Sequence, residues 1–236
     1  MLILALESTA LVASVALCED ERLIGEYYLN NGNTHSETLL PMVESLLSLS
    51  SVGTDKIDLF ACAAGPGSFT GVRIGAATVK GLAFGRNKPC IGVSSLEALA
   101  YNSRGFDGLI CPCMNARRGQ VYNALFDGGG NRLCDDRALA IEELCKELAG
   151  KGKRVLVCGD GTGITLDGFC GRVDAVPAPE RSRYQSAYAV AQCALAEYRA
   201  GKRTSDVELT PVYLRLSQAE RMRLERESGS LENLGK

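Results

Sequence analysis

Residues 57–73 constrain the fold more than any other stretch. Residues 57–64 are apolar apart from Asp58, Gly65-Pro66-Gly67 follows, and residues 69–84 keep helical spacing. Such an apolar run reads as a strand buried on both faces. A glycine turn lets the chain reverse, and a helix then covers the sheet it has just left, as in a layered α/β domain. The helix is unusual in its small residues: Gly71, Gly75, Ala77, Thr78, Gly81 and Gly85 lie inside it or end it. Each interior glycine costs about 1 kcal/mol relative to alanine. A closely approaching neighbour offsets that cost, and small residues four apart permit the approach. The spacing leaves two neighbours open: the helix from Ser36 of the same chain, or another subunit. A strand-to-helix glycine turn can also hold phosphate. However, no Gly-x-x-x-x-Gly-Lys-Ser/Thr occurs, which excludes a P-loop.

Upstream, residues 2–6, 11–17 and 23–29 are apolar segments joined by short polar turns, which predicts an antiparallel meander. Thr34 and Glu37 have capping-box spacing, and Leu39, Leu40, Val43, Leu46 and Leu47 recur with helical period. Pro41 inside this helix predicts a kink or a late start. Residues 89–93 read as a short buried strand, with Ser94 or Ser95 capping a helix to about Tyr101. The order to this point is βββαβαβα, a mixed sheet covered by helices.

The second half repeats the theme in reduced form. Residues 109–114 and 120–126 predict a hairpin around Ala116-Arg117-Arg118-Gly119. A turn at 128–131, a returning segment at 133–140, a helix at 141–148 and a strand at 154–158 follow. The strand ends in Gly159-Asp160-Gly161-Thr162-Gly163, Ser186 can cap a helix over 187–199, and 212–216 reads as a last strand. From Ala219 the chain is charged, and a short helix fraying into a disordered tail is expected.

The formal net charge of -2 argues against a strongly electrostatic nucleic-acid binder, though it allows a local basic patch. The paired arginines 117 and 118 read equally as a phosphate or RNA contact and as a solvated turn. No apolar run approaches the ~20 residues that span a bilayer. The apolar N-terminal stretch lacks a basic opening and contains Glu7, so it reads as a buried strand rather than a signal peptide. The ten cysteines are spread through strand-like runs (Cys18, Cys62, Cys111, Cys113, Cys158) and a helical one (Cys193). With no Cys-x-x-Cys and a single histidine, a zinc site is not expected. Reduced structural thiols in a cytoplasmic protein are.

Four segments resemble the TsaB (YeaZ) family: His35-Ser36-Glu37 to Pro41, Gly65 to Ala83, Ala116-Arg117-Arg118, and Pro211-Val212-Tyr213-Leu214-Arg215. That family takes part in making the threonylcarbamoyl modification of adenosine in transfer RNA, and the likeness runs from Met1 to about Leu216. It implies an actin-like (ASKHA, ribonuclease-H-like) two-domain α/β fold with mixed sheets flanked by helices. Residues 1–103 would carry the partner-binding helices, 104–218 a reduced second domain, and 219–236 a charged tail. It also implies a larger catalytic relative, TsaD, with a metal pair in a His-x-Glu-Gly-His motif. Ser95 and Leu99 stand where those histidines would be, and Glu97 alone is kept. Serine and leucine cannot replace two imidazoles on a transition metal. Glu7 falls where the superfamily holds an acidic residue near metal-bound phosphate, and 159–163 where it often places an adenosine-side turn.

The resemblance therefore implies a non-catalytic scaffold that binds no metal or cofactor by itself, with a nucleotide possible at the interface with its partner. Helices 36–49 and 69–84 would pack against the same helices of TsaD. The expected interface residues are Leu40, Val43, Leu47, Phe69, Thr70, Gly71, Arg73, Ile74, Gly75 and Thr78. Alone, the chain would form a homodimer through the same surface. A TsaE-type ATPase would join the pair, and transfer RNA would be engaged indirectly. On this reading Gly75→Leu abolishes partner binding and leaves the monomer folded. The alternative is a free-standing metal-dependent ATPase or a glycoprotease-like peptidase.

Overall fold

The computed structural model describes residues 1–215. The last residue of the expected strand 212–216, and the expected helix and tail after Ala219, lie outside the described residues. Strands β1 (Leu2–Glu7), β2 (Ala13–Glu19) and β3 (Arg22–Leu29) form the expected antiparallel meander. Helix α1 (His35–Leu49), β4 (Leu59–Gly65), α2 (Phe69–Ala83), β5 (Cys90–Ser94) and α3 (Ser95–Tyr101) follow. β4 pairs parallel to β1 and β5 parallel to β4, giving the sheet order β3-β2-β1-β4-β5.

The apolar runs become legible through this sheet. Leu4 and Leu6 of β1 join Phe60 and Cys62 of β4 in the core beneath α1 and α2. Ile3 and Ala5 join Leu59, Ala61 and Ala63 on the opposite face. Both faces are covered, so alternation disappears. Each fully buried Leu, Ile or Phe contributes on the order of 1.5–3 kcal/mol.

The second sheet is built from β6 (Leu109–Arg117), β7 (Gln120–Asn123), β8 (Phe126–Asp127), β9 (Arg137–Ala140), β10 (Val155–Cys158) and β11 (Ala175–Pro177). Its order is β11-β10-β6-β7-β9, with β8 pairing β6 to one side. Helices α4 (Ile141–Ala149) and α5 (Thr162–Phe169) pack on one face, and residues of α3 on the other. Two sheets, each mixing antiparallel and parallel pairs and flanked by helices, make the expected actin-like (ASKHA, ribonuclease-H-like) α/β fold.

Several expectations need correction. β2 begins at Ala13, because residues 8–12 turn at the sheet end and leave Leu11 58% exposed. In 133–140 only Arg137–Ala140 joins a ladder. Residues 212–215 form no strand; Val212 N–H donates to Ala64 O, and the segment otherwise runs on as a strap. Helix α1 starts at His35 and continues through Pro41 without a late start. Thr34 does not cap the helix backbone with its side chain; its hydroxyl donates to the Glu37 carboxylate (2.7 Å). Helix α5, β11 and the short α6 (Glu180–Arg183) had no sequence signal.

The division at 103/104 also changes. Helix α7 (Ala187–Arg199) returns to cover the free face of the first sheet. Glu26 on β3 holds it there: its Oε1 accepts from the Ser186 hydroxyl (2.8 Å) and the Tyr188 N–H (3.1 Å). Ser186 in turn caps Ala189 N–H. Leu209 inserts into the core under α1 and α2. The first lobe therefore needs residues from both ends of the described chain.

All ten cysteines are free; eight are buried, Cys134 is half-buried and Cys170 is exposed. A thiol reagent added to the folded chain should label Cys170 quickly and Cys134 slowly, and all ten after unfolding. More than two reactive thiols in the folded chain contradicts this packing.

Candidate functional site

Helices α1 and α2 lie side by side with both N-termini at one end of the sheet. His35 Nε2 donates to Ala10 O (2.8 Å) at the start of α1. At the start of α2, Ser68 N–H donates to Thr9 O (2.7 Å) and Ser68 Oγ accepts from Gly71 N–H (3.3 Å). Loop 8–12 thus anchors both helices.

The inner face of α2 carries Gly71, Val72, Gly75, Ala76, Val79 and Ala83. A Cβ on Gly71 would lie 2.0 Å from Ser8 O, and one on Gly75 would lie 2.6 Å from Ser8 Oγ. Ser8 Oγ donates to Gly71 O (2.9 Å) across this contact. The close neighbour that those glycines admit is therefore β1's end in the same chain. The interface assignment of Gly71 and Gly75 is corrected, as are those of Val43 and Leu47, which are buried in the core beneath α1. Gly75→Leu would damage the fold itself.

The other expected residues do reach the surface. Leu40, Thr70 and Arg73 are exposed; Phe69, Ile74 and Thr78 are half-buried. The outer face also holds Ala77 and Gly81, both exposed, and nothing lies within 4 Å of a Cβ built on Gly81. At the far ends, Leu49 is 78% and Phe84 75% exposed. Helical spacing from Thr70 through Ala77 and Gly81 to Phe84 carried this signal. It was obscured because small residues occupy both faces of α2.

Between the lobes lies a cavity of about 690 Å³, with Thr9, Ser68, Tyr122, Asp160, Tyr213 and Arg215 among its lining residues. Glu7 ends β1 near it, fully buried. Its Oε1 accepts from Thr9 N–H and from the Thr9 hydroxyl (both 2.6 Å), and its Oε2 has no partner. Burial pushes the Glu7 carboxyl up to about 7, against those hydrogen bonds, and Asp160 adds to the rise. Burial also raises Asp160, whose carboxylate accepts from Asn115 N–H (3.4 Å). Gly159 and Gly161 let this turn pass against Cys113 O, which a Cβ on either would approach to 2.3 and 2.8 Å. A packing role therefore accounts for these two glycines.

Ser95 and Leu99 share a face of α3 and are fully buried; Ser95 Oγ has no partner. Glu97 pairs instead with Arg132 (3.1 Å), which also holds Asp136. A serine and a leucine in a packed core do not fit a metal. Among the described residues no three His, Cys, Asp or Glu side chains converge to hold one. Nor is any described helix long and apolar enough to cross a membrane.

Residues 30–157 match the family model described as TsaD: tRNA N6-adenosine threonylcarbamoyltransferase. The tRNA threonylcarbamoyladenosine biosynthesis protein TsaB of Bacillus subtilis is 35% identical over 93% of this chain and 96% of its own length. The chain belongs to the TsaB family. Its lobes superpose on YeaZ from Pseudomonas aeruginosa with a TM-score of 0.79, at 28% identity over 90% of this chain and 99% of that one. A second structure, described as an uncharacterized protein with similarity to peptidase YEAZ from Pseudomonas aeruginosa, has the same TM-score. It is 29% identical over 91% of this chain and 99% of its own. In this TsaB-family chain the match to the transferase model spans α1, α2 and α3 alike.

Proposed function

We propose that the chain serves tRNA threonylcarbamoyladenosine biosynthesis as a non-catalytic subunit. It docks a TsaD-type transferase on the outer face of α1 and α2. One observation carries this reading. The paired helices expose Leu40, Leu49 and Phe84 around two positions with almost no side chain, Ala77 and Gly81. Small residues allow a second helix pair to approach closely, while the large apolar ends supply buried area. The same face would join two copies of this chain when no transferase is present. A TsaE-type ATPase would act on the assembled pair. The name of the Bacillus subtilis relative supports the pathway, and the transferase family match supports a partner with the same helices.

The test is Ala77→Arg. Ala77 is exposed on α2, so the monomer should keep its melting temperature. An uncompensated charge buried at an interface costs about 3–5 kcal/mol, a loss of over 100-fold in affinity. Transferase captured in full yield by the Ala77→Arg chain would place the interface elsewhere.

The competing reading is a metal-dependent ATPase or peptidase. It has the cavity and the peptidase likeness in the description of one relative in its favour. Turnover or stoichiometric bound metal in the pure chain would establish it.

A further inference from the structure

The mouth of the cavity carries a connected row of arginines and aromatic rings that starts at Phe69 and Arg73 on α2 and runs on past the helix face to the β6–β7 hairpin tip. Arg73 stacks over Phe69 at 3.8 Å and donates from Nε to the Tyr213 hydroxyl (2.8 Å). Phe69 and Tyr213 pack ring to ring at 4.8 Å. Arg215, two residues along the strap, donates to Ala116 O (2.7 Å), which places it beside the hairpin tip of Arg117 and Arg118. Among the described residues none of these four arginines pairs with a carboxylate. The side chains of Arg117 and Arg118 make no hydrogen bond among the described residues either, and both are exposed.

The tip is an awkward place for arginine. Arg117 and Arg118 have φ of 62° and 56°, in the left-handed region that glycine and asparagine tolerate best. Among the described residues no hydrogen bond or ion pair of either guanidinium accounts for the residue type. Guanidinium groups with no carboxylate partner among the described residues, next to a ring that is 40% exposed at Tyr213, match the way proteins hold single-stranded nucleic acid: cations meet phosphates and aromatic faces take bases. The overall charge of -2 argues against wrapping a long duplex and leaves this local patch as the basic contact.

We propose that a single-stranded segment of the substrate RNA crosses the cavity mouth, with its phosphates on Arg117, Arg118 and Arg215 and a base against Tyr213. This rests on the proposed role in transfer-RNA modification and makes the RNA contact direct rather than indirect. Asp160 also lines the cavity, where burial raises its carboxyl and Asn115 N–H donates to it.

The test is binding of a short labelled RNA to the full chain across a range of salt, as a single strand and as a duplex. The chain should bind the single strand more tightly, and log affinity should fall linearly with log salt. The double variant Arg117→Asn/Arg118→Asn, which suits the backbone, should lower that slope by about 1.4, at about 0.7 per phosphate lost. Its melting temperature should hold. Tyr213→Leu should weaken single-strand binding about tenfold and leave duplex binding unchanged. An unchanged salt slope in the double variant, equal binding of duplex, or full competition by a free mononucleotide would each overturn the proposal. If the double variant loses RNA but still captures transferase, the docking reading is untouched. If Ala77→Arg keeps its transferase while RNA binding behaves as expected, docking alone has failed.

Discussion

Gly71→Ala is expected to destabilise the free chain by about 3 kcal/mol, despite alanine's helix preference. The new methyl would sit 2.0 Å from the Ser8 carbonyl oxygen, a backbone atom at the end of β1 that no rotamer change can move. Helix α2 must then lift away from the sheet. That breaks the Ser8 Oγ to Gly71 O bond and strains the Ser68 N–H to Thr9 O bond. Overpacking costs typically 1–3 kcal/mol and each lost hydrogen bond about 1, against about 1 returned by replacing a helical glycine. Gly81→Ala is the control. It makes the same chemical change ten residues later on the same helix, where nothing lies within 4 Å. It should stabilise by up to about 1 kcal/mol. Urea denaturation of the two variants beside the parent measures the contrast. Equal shifts in the midpoint would mean that α2 does not seat on β1 through Gly71. The same reasoning removes Gly75→Leu as a probe of partner binding, since it would lose the monomer first.

Glu7→Gln should make the chain more stable above pH 7, by roughly 3 kcal/mol relative to the parent, with a gain that shrinks toward acid. In the folded chain burial holds the proton on Glu7 up to about 7, whereas the unfolded chain releases it near the ordinary value of 4.5. Between those values the folded state binds more protons than the unfolded state. The Glu7 contribution to stability is therefore lost as pH rises from about 4.5 to about 7, and is flat above. Glutamine has no proton to lose. Its Oε1 still accepts from Thr9 N–H and the Thr9 hydroxyl, so the loop geometry survives. The unpartnered Oε2 becomes an amide nitrogen, which adds an offset independent of pH. The readout is the difference in unfolding free energy between variant and parent at pH 4.5 and pH 8. A difference that stays constant between the two would show that Glu7 titrates normally and is not held in a dry site.

The two predictions concern one place. Ser8 lies under Gly71 and Glu7 lies beneath Thr9, so loop 8–12 joins the first strand, both outer helices and the cavity. A partner docked on α1 and α2 and a strand of RNA at the cavity mouth would share this support.

The sequence by itself determined the meander, the glycine turn after β4 and the helix that follows. These rest on local periodicity and turn chemistry, which depend on near neighbours in the chain. It also determined that the chain has one histidine, His35, and so no histidine pair, because ligand identity is a property of composition. Tertiary structure alone decided which glycines of α2 face inward. Helical spacing puts Gly71 and Gly81 on different faces of α2 without saying which face is covered, and the Ser8 carbonyl that a non-local strand brings under Gly71 decides it. It decided too that α7 belongs to the first lobe, through Glu26, some 160 residues away in sequence. The extended strap from Leu209 to Arg215 carries no periodicity, so its course over Ala64 and Phe69 to Ala116 could only come from contacts distant in the chain. Local patterns set what each segment becomes; which surfaces remain for partners is set by what the rest of the chain covers.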